Sequence, residues 1–359
     1  MSRKAGFVKS RVGVRAAISI AAVVVVMLLA MPAGATCSPH VSFVAVGNGP
    51  GQALYDQRNG EVFVLNLLDN TASILNGATN SVLQTVPAGN GPDVAAFDLA
   101  NGDIYVTDAN TNQVAVLNGG TGATVATVST APSILPQGIT YDNQNGYLYV
   151  ANSGTYPNPT YQNSNTVSVI DGRTNSLVAT IPDTFAPLAT SFLISDVYDP
   201  QTGYVYISDE GYGIQVLDPA TNTFVANIVT SSNYAVAYDP VNGVVYAFGY
   251  SAGPGLPSTI GVINTPTNTI VQTIPLPSSC LQPGSGTVDL RNGLVYIACL
   301  GNPNTVAVFD PYSSAIVQDF SVGGSAFFTV VGAFDLRTGA IYIPVPTTAS
   351  VAVVYPGAG

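Results

Sequence analysis

Beyond its first forty residues, the chain arranges apolar and polar positions in short runs of four to seven residues, separated by turns rich in Gly, Asn, Asp and Pro. These runs read as strands: period-two alternation recurs, and the three-and-four spacing of an amphipathic helix does not. They group into seven similar units. Each unit opens with an apolar stretch ending in Asp, at Asp56, Asp98, Asp142, Asp199, Asp239, Asp289 and Asp335, 40 to 57 residues apart. An Asn-Gly or Thr-Gly pair follows, from Asn59-Gly60 to Thr338-Gly339. The next strand carries an aromatic third residue: Phe63, Tyr105, Tyr149, Tyr206, Tyr246, Tyr296 or Tyr342. An Asn-Gly pair between strands predicts a tight hairpin with both central residues at positive φ.

Third strands are predicted at 72–75, 114–117, 167–170, 214–217, 260–263, 306–309 and 351–354, with apolar residues on alternate positions. Outermost strands are predicted at 82–86, 124–128, 177–181, 224–228, 270–274 and 316–320, one fewer than the number of units. The seventh unit reaches Tyr355 without one, and the stretch 40–46 reads like the missing strand. The pattern therefore predicts an all-β fold, a seven-bladed β-propeller of four-stranded antiparallel blades whose N-terminal strand completes the last blade and closes the ring.

The segments Ile104-Tyr105-Val106-Thr107-Asp108 and Tyr147-Leu148-Tyr149-Val150-Ala151-Asn152, with their Asn-Gly turns and trailing Val-Ala-Thr strands, resemble the YVTN-type propeller repeats. That resemblance covers almost everything after Cys37, and it implies an exported or surface-layer-like propeller. Val288, where other units carry an aromatic residue before Asp, and Ile343-Pro344 depart from the repeat. The family's members do several different things, so the resemblance implies a fold more than a function.

Composition adds a compartment. Arg3, Lys4, Lys9, Arg11 and Arg15 precede an uncharged apolar run and then Ala33-Gly34-Ala35, the order of a secretory signal. Residues 1–35 are expected to be a signal peptide cleaved after Ala35, with an uncleaved membrane anchor as the alternative, and 36–359 to be the propeller. The protein is then secreted or held at the cell envelope. After the leader only Arg58, Arg173, Arg291 and Arg337 remain against 20 acids, which excludes nucleic acid as a partner because phosphate binding needs clustered cations. Contact with a membrane is expected only through an uncleaved leader, and the protein is expected to be a monomer.

Large length variation falls in loops on one face of the propeller, at 151–165, 182–195, 249–258 and 275–284. There Tyr156, Asn158, Tyr161, Asn163, Asp209, Tyr212 and Tyr250 are candidate ligand-binding residues, because tyrosines stack on a sugar or peptide face while amides and carboxylates bond its edges. A carbohydrate, a peptide or an envelope protein is the expected partner. The rivals are a hydrolase or lyase at the mouth of the central channel and a purely structural envelope protein. No catalytic residue is assigned: after the leader the one histidine is His40, and Asp209 with Glu210 or Asp196 could flank a substrate as paired acids, though nothing distinguishes them from solvated loop charges. No cofactor is expected. Asp108-Ala109-Asn110-Thr111-Asn112 and Asp209-Glu210-Gly211 offer oxygens to Ca2+, but neither is a complete calcium loop. The corner acids, needed once per unit, read as turn acceptors. Cys280 and Cys299 should reach one face of the sixth unit and form a disulfide.

Overall fold

The computed structural model describes residues 38–154, 165–185, 192–230, 233–250, 256–301, 303–325 and 330–357, without the side chains of Asn233 and Tyr234. It contains seven four-stranded antiparallel sheets, the blades of a propeller, numbered one to seven here in chain order. The first strand of each blade packs against the first strands of its neighbours, so these strands line a central channel. They are Pro50–Asp56, Pro92–Phe97, Pro136–Asp142, Leu193–Asp199, Asn233–Asp239, Gln282–Val288 and the short Ala333–Phe334. Among the described residues the one helical element is a 3-10 turn at Pro346–Thr348.

Blade seven is composite. Its outermost strand is His40–Ala45, paired antiparallel with Ser350–Tyr355 from His40 opposite Tyr355 to Ala45 opposite Ser350. The predicted third and outermost strands all lie within observed ones, for example 72–75 within Thr71–Asn76. Burial departs from the expected alternation in the middle strands. Val62, Phe63, Val64 and Leu65 are all fully buried, because each blade is covered on both faces by its neighbours and both sides of a middle strand meet apolar residues. Alternation survives on outermost strands such as Ser176–Pro182, whose edge faces solvent.

The corner turns differ from the tight hairpins expected. The Asn residues at 59, 101, 145, 242 and 292 are absent from the left-handed region, whereas the Gly after each has φ between 65° and 87°. Four residues make the turn, closed by Gly60 N–H donating to Asp56 O at 2.8 Å and equivalently elsewhere. Asp56 Oδ1 accepts from Arg58 N–H at 2.8 Å and Oδ2 from the Asn59 amide at 2.7 Å. The acceptor holds the first turn residues in a right-handed conformation, and only the closing residue needs the freedom of glycine. The same acceptor recurs at Asp98, Asp142, Asp199, Asp239, Asp289 and Asp335.

Tyrosines in second strands join neighbouring blades. Tyr105 Oη donates to Gly172 O at 2.9 Å, Tyr206 Oη to Asn268 Oδ1 at 2.7 Å and Tyr342 Oη to Asn80 Oδ1 at 2.7 Å. Each bond runs from one blade to the third-to-fourth-strand turn of the next, and the last of them crosses the point where the ring closes. Desolvation by burial raises the Tyr105 phenol to about 12 and keeps it a neutral donor. Cys280 and Cys299 are disulfide-bonded, Cα to Cα 4.7 Å, tying the loop that enters blade six to that blade's second strand.

Candidate functional site

The channel opens at its long-loop end into a cavity of about 680 Å³. Its wall comes from six blades: the starts of first strands supply Gly51, Asp93, Gln137 and Ile194, and second-strand ends supply Ser153 and Glu210. At the other end, beside the corner turns, lies a second hollow of about 490 Å³ lined by Tyr55, Tyr198 and Tyr238. Those tyrosines belong to the repeat, and burial together with the Asp98 carboxylate of the preceding blade pushes the equivalent Tyr141 up to about 12.

The long-loop mouth is built from positions that do not repeat. In blades one and three to five, the first strand begins with a bulge whose extra residue lies five positions before the corner Asp; blade two shifts register at the same place. Bulges re-aim side chains, and here they turn Gly51, Asp93, Gln137 and Ile194 to the cavity. Three positions before the corner Asp stand Ala53, Ala95, Ile139 and Val236, all buried in the seams between blades. In blade four that position is Asp196, 7% exposed and part of the cavity wall. Gly138 of blade three makes room for it: a Cβ there would lie 2.6 Å from Asp196 Oδ1. Gln52, also in the wall, is committed to structure, its amide nitrogen donating to Ala95 O at 3.1 Å and its carbonyl accepting Ala95 N–H.

Both channel carboxyls are held back from ionising. Neither oxygen of Asp196 has a hydrogen-bond partner on another residue, and desolvation raises its pKa well above the ordinary carboxylate value against a smaller opposing effect of its own backbone N–H. Asp93 is half-buried and enclosed by protein on the channel axis, and desolvation raises it to about 6. Nothing basic lies in this wall. Arg58, Arg291 and Arg337 bind backbone carbonyls of neighbouring corner turns, and Arg173 pairs with Asp171 in a turn on that same far face. The four arginines thus sit at one end of the channel and the unpaired carboxyls at the other.

Of the candidate residues, Tyr156, Asn158, Tyr161 and Asn163 lie outside the described residues. Asp209 is fully buried and accepts from the backbone N–H of Phe192 at 3.2 Å and Gly211 at 3.0 Å, so its carboxylate organises the loop. Tyr212 is half-buried beside it. Tyr250 Oη lies 3.5 Å from Glu210 Oε1 and so stands next to the cavity. Asp196, read from sequence as a loop charge, is instead a buried seam residue. The overlooked Asp93 carries a signal that sequence can supply: a carboxyl where the aligned units have Gly, Gln, Ile, Tyr or Val. Asp108 spends Oδ2 on Asn90 N–H at 2.8 Å. No group of three His, Cys, Asp or Glu among the described residues is placed to hold a metal ion. No described helix is long and apolar enough to cross a membrane, and the leader lies outside the described residues.

Fold and cavity together define a seven-bladed propeller with an acid-walled, ligand-sized hollow at one channel mouth. No protein-family model and no curated protein matches the chain. Among solved structures it is similar to the Kuenenia stuttgartiensis hydrazine synthase, at 16% identity over 88% of this chain and 98% of that one, with a TM-score of 0.71. At that identity the likeness shows a shared fold.

Proposed function

We propose that this protein is an exported recognition propeller of the YVTN-repeat type that seats its ligand, a carbohydrate, a peptide or part of an envelope partner, in the long-loop mouth of its channel. The carrying observation is that the side chains departing from the sevenfold repeat converge on one cavity of about 680 Å³, within the range of small-ligand sites. A structural ring has no need of a carboxyl in a seam that four other blades fill with Ala, Ile or Val and two leave to Gly. The leader-like first 35 residues and the near absence of cations after them support export.

The test is binding of the secreted chain to glycan and peptide arrays and to envelope fractions, beside a Gln137→Trp variant that fills the mouth. Binding should fall at least about tenfold in a variant that still melts cooperatively, and equal binding by both proteins removes the reading. The raised Asp93 and Asp196 also favour a second reading, acid–base chemistry on a substrate in the same hollow. Hydrolase or lyase turnover abolished by Asp93→Asn would establish it.

A further inference from the structure

Asp196 is poorly satisfied where it stands. It lies in a blade seam, more than nine-tenths buried, and neither carboxylate oxygen has a hydrogen-bond partner on another residue. A buried acid in that state is costly whether charged or neutral. Gly138 opposite it leaves space for the carboxyl and no more. Asp93 reaches the same cavity from blade two and Glu210 from the end of blade four's second strand. Among the described residues those three are the titratable groups that line the wall, and Tyr250 stands beside Glu210. The rest of the described wall is largely apolar, with Val94, Leu135, Ile139 and Ile194 around the carboxyls and Phe192 the one described aromatic ring.

We propose that the mouth is a site for an organic ammonium ligand, a small apolar body bearing one protonated amine, with the amine set toward Asp93 and Asp196 and the body against Val94, Leu135 and Ile139. This rests on the mouth being the binding site, as argued above. An anion meets carboxylates with no counter-charge, since all four arginines among the described residues lie at the other end of the channel. A bare metal ion is disfavoured because, among the described residues, no three acids are grouped closely enough to ligate one. A sugar would use an aromatic platform and mixed donors and acceptors, for which the described wall offers Phe192, Gln137, Ser153 and Ser195 but nothing that needs the unpaired Asp196. An ammonium group supplies the donors that Asp196 lacks, and in a low-dielectric cavity the attraction is little screened. Binding draws protons off Asp93 and Asp196 into solvent, so affinity rises with pH through the window near 6 in which Asp93 ionises.

Titration calorimetry of the full secreted chain with 2-phenylethylammonium, its neutral counterpart 2-phenylethanol and the anion 3-phenylpropanoate tests this. At pH 7.5 the ammonium should bind at least about thirtyfold more tightly than the alcohol, and the anion should not bind. Asp93→Asn and Asp196→Asn should each cost at least about tenfold, and lowering the pH to 5 should weaken wild-type binding about tenfold. Neither variant is expected to unfold, because each removes a buried acid. An alcohol that binds within about threefold of the ammonium, or an Asp196→Asn variant that binds the ammonium as wild type does, overturns the proposal. If that alcohol binding is lost in Gln137→Trp, the mouth remains the binding site and only the ligand's charge class falls. No heat with the ammonium also overturns the proposal, and the array comparison of wild type with Gln137→Trp then decides separately whether the mouth binds anything.

Discussion

Aspartates at the two ends of the channel have opposite fates. At the corner-turn end, Asp56, Asp98, Asp142, Asp199, Asp239, Asp289 and Asp335 are buried almost completely, and each accepts hydrogen bonds from its own turn. At the long-loop end, Asp196 is almost as deeply buried with both oxygens unpartnered, and Asp93 is desolvated with nothing basic near it in the wall. Burial alone therefore does not separate a structural acid from a functional one. Repetition and satisfaction do: an acid supplied once per blade with its donors in place holds the ring together, and one found once without donors from other residues has no such part in the ring, as the proposed binding site requires.

The comparison is broken most directly at Asp239. Its carboxylate takes Val241 N–H at 2.8 Å, Asn242 N–H at 3.2 Å, the Asn242 amide at 2.7 Å and Tyr246 Oη–H at 2.9 Å. Asp239→Ala strands several buried donors and should destabilise the protein by about 3–5 kcal/mol, read by urea or thermal unfolding. A loss below about 1 kcal/mol would mean that the corner acids are not what fixes the turns. Asp196→Val, which installs the residue type that Val236 places at the equivalent position, should act in the other direction. At pH 7.5 it should raise stability by about 2–4 kcal/mol, as removal of an unsatisfied buried acid does. Destabilisation instead would show that Asp196 serves the fold.

The ring was readable in advance because its parts recur and each obeys local physics: a corner acid, a glycine that closes a turn, an aromatic residue at a fixed strand position. Even the borrowed strand at His40–Ala45 could be inferred, since a seventh blade without an outermost strand leaves an open edge. The turn geometry was misjudged because Asn-Gly suggests a two-residue turn until the Asp three residues before the Asn is recognised as an acceptor that lengthens it. Part of the cavity wall escaped the sequence reading for a related reason. Long loops draw attention by length and tyrosine content, and Asp209 looked like part of them, but it ends a strand and accepts backbone N–H groups. Asp93 and Asp196 lie inside apolar strands, and only alignment of the seven units against one another shows that Asp93 replaces Gly, Gln, Ile, Tyr or Val and Asp196 replaces Ala, Ile, Val or Gly.

The finest test of the contrast between the two ends is the pH dependence of stability at Asp93. A carboxyl whose folded pKa is raised, here to about 6 by desolvation, binds its proton more tightly in the native than in the unfolded chain. Between about pH 4 and 6 the native state therefore carries more protons, and this residue's contribution to stability falls as pH rises, reaching its full penalty above about 6. Asp93→Asn removes the penalty. It should leave stability nearly unchanged at pH 4 and raise it by roughly 1–3 kcal/mol at pH 8, a difference that unfolding curves at the two pH values resolve. A corner acid shows no such profile in its favour, because its neutral replacement loses donors at every pH. If Asp93→Asn instead weakened the protein more at pH 8 than at pH 4, Asp93 would have to be a satisfied carboxylate like those of the corners, and the division between the two ends would fail.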